Sequence, residues 1–84
     1  MKTFTFTVSD PVGLHARPVS KLVQEANLFN SNIVLIYNGD SQNLKSIFGI
    51  LGLAIPSNAV VEIQISGSDE IYAYSHLSLF IHTI

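Results

Sequence analysis

The chain has no cysteine and no tryptophan. Without thiols, a disulfide scaffold, a thiolate metal site and a thiol nucleophile are all excluded. Charge is also scarce. Only 12% of the residues are charged, against about 25% in ordinary soluble domains. Four Lys and Arg against six Asp and Glu leave a net charge of −2. That balance lacks the basic excess of a sequence-independent nucleic-acid binder, so no direct nucleic-acid contact is expected. Long apolar runs are missing too. The longest uninterrupted apolar or glycine run, Ile47 to Ile55, falls short of the ~20 residues of a membrane helix. The greasy stretch from Ile71 to Ile84 is broken by Ser, His and Thr and has no Lys or Arg face, so membrane insertion is not expected. Met1 and Lys2 lead into Thr-Phe alternation rather than an export signal, which sets a cytoplasmic location as the expectation. What the chain does have is a 48% apolar content over 84 residues. That suffices for one domain, residues 1–84, with its own core.

Periodicity orders the elements. Phe4, Phe6 and Val8 alternate with Thr3, Thr5 and Thr7, the pattern of a half-buried strand. After a loop holding Asp10, Pro11 and Gly13, the residues Ala16, Val19, Leu22, Val23 and Ala26 share one helical face. Pro18 stands in the first turn of that helix, where a missing N–H costs nothing. The β-branched run Ile33 to Tyr37 ends at Asn38-Gly39, a hairpin signal because both turn positions need positive φ. A polar edge strand, Asp40 to Asn43, pairs back. Ser46 then caps a short helix beginning at Ile47. Val61, Ile63 and Ile65 alternate with Glu62, Gln64 and Ser66, a further strand. Asp69 is placed to cap a last helix whose stripe is Ala73, Tyr74, Leu77, Phe80, Ile81 and Ile84, with Ile71, Tyr72 and Leu79 off it. The order β-α-β-β-α-β-α predicts an α+β fold, one sheet with helices on one face.

The segment Gly13-Leu14-His15-Ala16-Arg17-Pro18 ends a loop and opens a helix. The first N–H groups of a helix lack intrahelical partners and lie at the positive end of its dipole. Such an end binds phosphate, with Ala16 and Arg17 supplying the amides. It also disfavours a protonated imidazole and so keeps His15 nucleophilic. Arg17 supplies a permanently charged fork for phosphate oxygens. Nucleophile, anion cradle and counter-charge together suit phosphoryl transfer. There is no carboxylate cluster for Mg²⁺ and no GxxxxGK[ST] loop for a nucleotide. The phosphoryl group must therefore come from another protein, and no metal or cofactor is implied. Read alone, a loop histidine followed by an arginine is ordinary solvated surface, and Ser46 is only a cap. Asp10, Glu25, Asp40, Glu62, Asp69 and Glu70 are dispersed and read as solvated groups and caps. His76 and His82 stand six apart, where a helical metal pair needs three or four.

Two motifs decide between these readings. Gly13-Leu14-His15-Ala16-Arg17-Pro18 and Asn43-Leu44-Lys45-Ser46-Ile47, with Val23-Gln24-Glu25-Ala26 and Tyr37-Asn38-Gly39 between them, make the chain resemble the HPr family along essentially its whole length. These are the histidine-containing phosphocarriers of the bacterial phosphoenolpyruvate:sugar phosphotransferase system. The resemblance implies an open-faced β-sandwich, a four-stranded antiparallel sheet with three helices on one face. It implies that His15 takes a phosphoryl group on Nδ1 from enzyme I and gives it to IIA domains of sugar permeases, with Arg17 contacting the group. It makes the chain a carrier rather than a stand-alone enzyme. It implies that Ser46 is phosphorylated by an HPr kinase/phosphorylase, and that Ile47, Phe48 and Leu51 are partly exposed for partner docking while Ile50 and Leu53 are buried. The alternative it leaves is mainly a regulatory phospho-Ser46 module bound by a catabolite-control transcription regulator. The chain departs from the family pattern at Val12, where many relatives carry a hydroxyl or amide residue, at Phe48, which replaces a usual methionine, and at Gly52 and Ala54.

Overall fold

The Thr-Phe alternation forms strand β1, Lys2–Thr7, in the computed structural model, which describes residues 1–84. Strands β2, Asn32–Tyr37, and β3, Asp40–Asn43, form the hairpin. Asn38 and Gly39 turn it with φ of 52° and 85°, and Tyr37 pairs with Asp40. Strand β4, Val60–Ser66, runs antiparallel to both β1 and β2, so the sheet order is β1-β4-β2-β3. Phe4 and Leu35 both stand opposite Ile63. Period-2 geometry therefore puts Phe4, Phe6, Ile33, Leu35, Val61, Ile63 and Ile65 on one face. The other face carries Thr3, Thr5, Glu62 and Gln64.

The apolar face is covered by helices α1, Ala16–Ala26, α2, Ile47–Leu51, and α3, Glu70–Phe80. Val19, Leu22, Val23 and Ala26 of α1, Ile50 of α2, and Ala73 and Leu77 of α3 join the strand residues in one core of 17 buried apolar side chains. This is the open-faced α+β sandwich that the motifs imply. No helix is long and apolar enough to cross a membrane.

Details of the sequence reading need correction. Ala16 is exposed, and Pro18 takes its place among the buried residues of α1. Leu53, expected to be buried, is only half-buried. It lies past the end of α2, where Ala54 reverses the chain with a φ of 52° and donates its N–H to Leu51 O at 3.1 Å. The last helix stops at Phe80, and Ile81–Thr83 is a single 3₁₀ turn. Ile71, Tyr72 and Leu79 are exposed.

Asp69 occupies the N-cap position of α3 without capping it. Its carboxylate instead accepts from the Asn30 and Ser31 N–H groups at 2.8 and 3.0 Å and from the Ser31 hydroxyl. It thereby ties the chain entering β2 to the turn before α3. Ser31 is 1% exposed, so without this partner its polar groups would be buried unpaired. The same bonds, the Ser31 hydroxyl first, hold the Asp69 carboxyl below its usual range. A depressed folded-state pKa gives stability that is present above the unfolded value and lost as pH falls through the folded one. Unfolding midpoints in urea should therefore fall with acidification below about pH 4. Asp69→Asn should start lower at pH 7 and show a flatter acid limb. Asp10 and Glu70, also held low, keep part of the slope in that variant. Parallel acid limbs for the two proteins would rule out this role of Asp69.

Candidate functional site

The loop between β1 and α1 is built on Asp10. One carboxylate oxygen accepts the Val12 N–H at 2.9 Å, and the Asp10 carbonyl accepts the Gly13 N–H at 2.9 Å. This is the self-bonded turn that aspartate favours. Gly13 has a φ of 88°, a region that costs a side chain dearly, and its Cα lies against the segment following α2. The next residue, Leu14, is buried and donates its N–H to Ile55 O at 2.9 Å. The loop is thus fastened at both ends before it reaches His15.

His15 is the N-cap residue of α1 by backbone geometry, with φ −94° and ψ −175° and no side-chain cap bond. Its carbonyl accepts the Val19 N–H at 3.1 Å. The ring is therefore not used to finish the helix and stands half-exposed, its Nε2 3.2 Å from Asp10 Oδ2. Nδ1 has no protein partner. The backbone N–H groups of Ala16 and Arg17 also have none, and Pro18 has no N–H to offer. Arg17 is exposed, and its guanidinium forms no hydrogen bond or ion pair. Two unpartnered amides at a helix N-terminus and an uncommitted guanidinium thus follow directly in the chain on a ring whose Nδ1 has no protein partner. The arrangement can receive a tetrahedral dianion on that nitrogen and neutralise its oxygens.

Asp10 is the residue that sequence reasoning missed. It reads there as one of six dispersed carboxylates. Its spacing of five from His15 matches no acid/base motif, and only the turn closed on Val12 brings the two together. The Val12 N–H is the main cause of an Asp10 pKa below the ordinary value, and the His15 hydrogen bond and the nearby Arg17 charge add to it. Asp10 is thus a carboxylate at neutral pH. Its carboxylate stands beside the ring, 3.2 Å from Nε2.

Ser46 caps α2. Its hydroxyl accepts the Gly49 N–H at 3.2 Å, and its carbonyl accepts the Ile50 N–H at 3.2 Å. Ahead of it, Lys45 is drawn inward and donates its Nζ to Phe29 O at 2.6 Å. Phe48 is 88% and Ile47 37% exposed, and Leu51 is half-buried. All three lie on a helix that packs against α1. An open groove lined by Ser20, Lys21, Gln24 and Ile47 runs between the two helices. The two remaining histidines do not join this site. His76 contacts Glu25 Oε1 at 2.6 Å and stacks on Phe80, and His82 follows it in the 3₁₀ turn.

Residues 2–83 match the family model described as PTS HPr component phosphorylation site. A phosphocarrier protein HPr of Lysinibacillus sphaericus is 44% identical over 78 residues, covering 93% of this chain and 89% of that protein. Among solved structures, a mycoplasma histidine-containing phosphocarrier protein superposes with a TM-score of 0.91. It has 40% identity and covers 98% of this chain and 94% of its own. The Bacillus subtilis catabolite-repression protein Crh, described as a swapped dimer, gives 0.76 at 35% identity, covering 99% and 95% of the two chains.

Proposed function

The chain belongs to the HPr family of phosphocarriers, and on that premise we propose that it accepts a phosphoryl group on His15 from enzyme I and passes it to IIA domains of sugar permeases. The observation that carries this reading is the half-exposed His15 ring at the start of α1, beside two free amides and the unpaired Arg17. The Nδ1 lone pair attacks phosphorus, and an N–P bond forms. The bond to the donor's phosphohistidine nitrogen breaks, and its electron pair stays on the donor ring. Arg17 and the Ala16 and Arg17 amides hold the equatorial oxygens as charge shifts between the two rings. The reverse geometry delivers the group to the next acceptor, so the protein acts as a shuttle and needs no cofactor.

Partners dock on the face of α1 and α2. Ile47, Phe48 and Leu51 supply an apolar centre beside the cationic Arg17 and Lys21. A small, partly apolar contact suits a carrier that must release quickly. All of this takes place within one domain, residues 1–84, in the cytoplasm.

A second function runs through Ser46. Its hydroxyl is half-exposed at the start of α2, and the likeness to a catabolite-repression protein supports a regulatory role. An HPr kinase/phosphorylase adds a phosphate carrying −1.5 to −2 charges there. The charge suits a helix N-terminus and leaves the fold intact. It alters the docking face for enzyme I and presents an anion to a catabolite-control transcription regulator.

One experiment with two arms tests both roles. Incubation with enzyme I and phosphoenolpyruvate should add a single acid-labile phosphoryl group at His15. Incubation with HPr kinase and ATP should add a single acid-stable one at Ser46. Mass spectrometry before and after acid treatment reads both arms. No labile adduct refutes the carrier, and no stable adduct refutes the regulatory role.

A further inference from the structure

We infer that Asp10 is the positioning residue of the site, fixing the His15 tautomer so that the lone pair stands on Nδ1. The inference rests on the carrier reading and deepens it. Two observations carry it. Asp10 Oδ2 lies 3.2 Å from Nε2, and Oδ1 is pinned by the Val12 N–H at 2.9 Å. A carboxylate only accepts hydrogen bonds. The ring nitrogen facing it must therefore carry the proton, and in a neutral imidazole the other nitrogen then holds the lone pair. Because Oδ1 is occupied by the backbone, the carboxylate cannot swing away, and its orientation is set by the loop itself.

The geometry also serves the transferred state. When Nδ1 bonds phosphorus, Nε2 keeps its proton and the ring becomes cationic. No proton leaves, and the bond to the departing donor nitrogen is the only one that breaks. A fixed carboxylate on the Nε2 side stabilises that ring charge as it forms. Arg17 and the two amides address the opposite partner, the phosphoryl oxygens. Two charges of opposite sign thus serve the two ends of one new bond. The low pKa of Asp10 keeps this arrangement intact at neutral pH.

Asparagine separates this role from a merely structural one. In Asp10→Asn the side-chain oxygen can still accept the Val12 N–H and preserve the turn. The amide NH₂ then faces Nε2. An NH₂ group donates, so Nε2 must accept and the proton moves to Nδ1. In Asp10→Ala the loop loses its anchor but nothing dictates the tautomer. We expect ¹⁵N spectra to show Nε2–H in the wild type, mainly Nδ1–H in Asp10→Asn, and a mixture in Asp10→Ala. Acceptance from phosphorylated enzyme I should fall roughly tenfold in Asp10→Asn, the worth of a partly exposed charged hydrogen bond, and less in Asp10→Ala. A protected Leu14 amide confirms that the loop is folded in each variant. The inference is overturned if the tautomer is unchanged in Asp10→Asn, or if alanine harms acceptance as much as asparagine does. Failure of the wild type to accept phosphoryl would refute the carrier reading instead, and the tautomer spectra would still decide the role of Asp10.

Discussion

A His15→Ala variant should take up no acid-labile phosphoryl group from phosphorylated enzyme I, yet melt within about 4 °C of the wild type, as surface substitutions do in domains of this size. The two halves of this expectation have separate causes. His15 fills the N-cap position with its backbone alone, so α1 starts equally well without the imidazole. The ring is half-exposed, and its one protein hydrogen bond, to Asp10 at 3.2 Å, is replaced by water. Nothing structural depends on it, whereas the chemistry has no substitute. There is no cysteine in the chain, and His76 is bonded to Glu25, away from the free amides of α1. Arg17→Ala should lie between these extremes. It keeps the nucleophile and loses one charged contact to the phosphoryl oxygens, for an expected slowing of about 10- to 100-fold in acceptance. Rapid-quench transfer followed by acid-lability analysis measures all three proteins. A labile adduct on His15→Ala would move the acceptor to another residue and overturn the site.

What could be read from the sequence was whatever depends on near neighbours. Threonine alternating with phenylalanine gives β1, Asn38-Gly39 gives the hairpin, and Ser46 ahead of an apolar run gives the capped helix. Each rests on backbone preferences within a few residues. Contacts between distant residues were not legible. Asp69 has the local signature of a helix cap, yet its carboxylate is taken by Asn30 and Ser31, 39 and 38 positions away. Ala16 fits the apolar stripe of α1 yet is exposed, and the buried residue of that first turn is Pro18. The crossed strand order β1-β4-β2-β3 follows from no periodicity, and the resemblance to a known family reached only as far as a four-stranded antiparallel sheet. Asp10 was missed for a different reason. It is local, five residues from His15, but its effect depends on a turn whose geometry no residue pattern announces. The motif residues could be named from the sequence, while the group that orients them could not.

Gly13→Ala should be severely damaging for so small a substitution, lowering stability by about 3 kcal/mol, or some 15 °C in melting midpoint. Two costs combine. At a φ of 88° any side chain is strained, by roughly 1–2 kcal/mol. The added Cβ would also stand 2.5 Å from Ile55 O and 3.0 Å from Pro56 Cα. Both are backbone atoms and cannot rotate aside as a side chain would. The loop must lift, and the Leu14 N–H bond to Ile55 O is then stretched or lost, with the buried Leu14 drawn outward. Gly39→Ala separates the two costs. Its φ of 85° is nearly the same, but nothing lies within 4 Å of the new methyl group, so only the backbone strain of roughly 1–2 kcal/mol applies. The difference between the two variants measures how firmly the loop is seated on the Ile55 segment. That seating matters for function because Leu14 precedes His15 directly, and a displaced Leu14 moves the ring away from the Ala16 and Arg17 amides. Gly13→Ala should therefore also lose phosphoryl acceptance at temperatures where circular dichroism still reports a folded chain, whereas Gly39→Ala retains it. Equal melting midpoints for the two variants would show that the contact with Ile55 and Pro56 contributes nothing, and that the loop is held by the Asp10 turn alone.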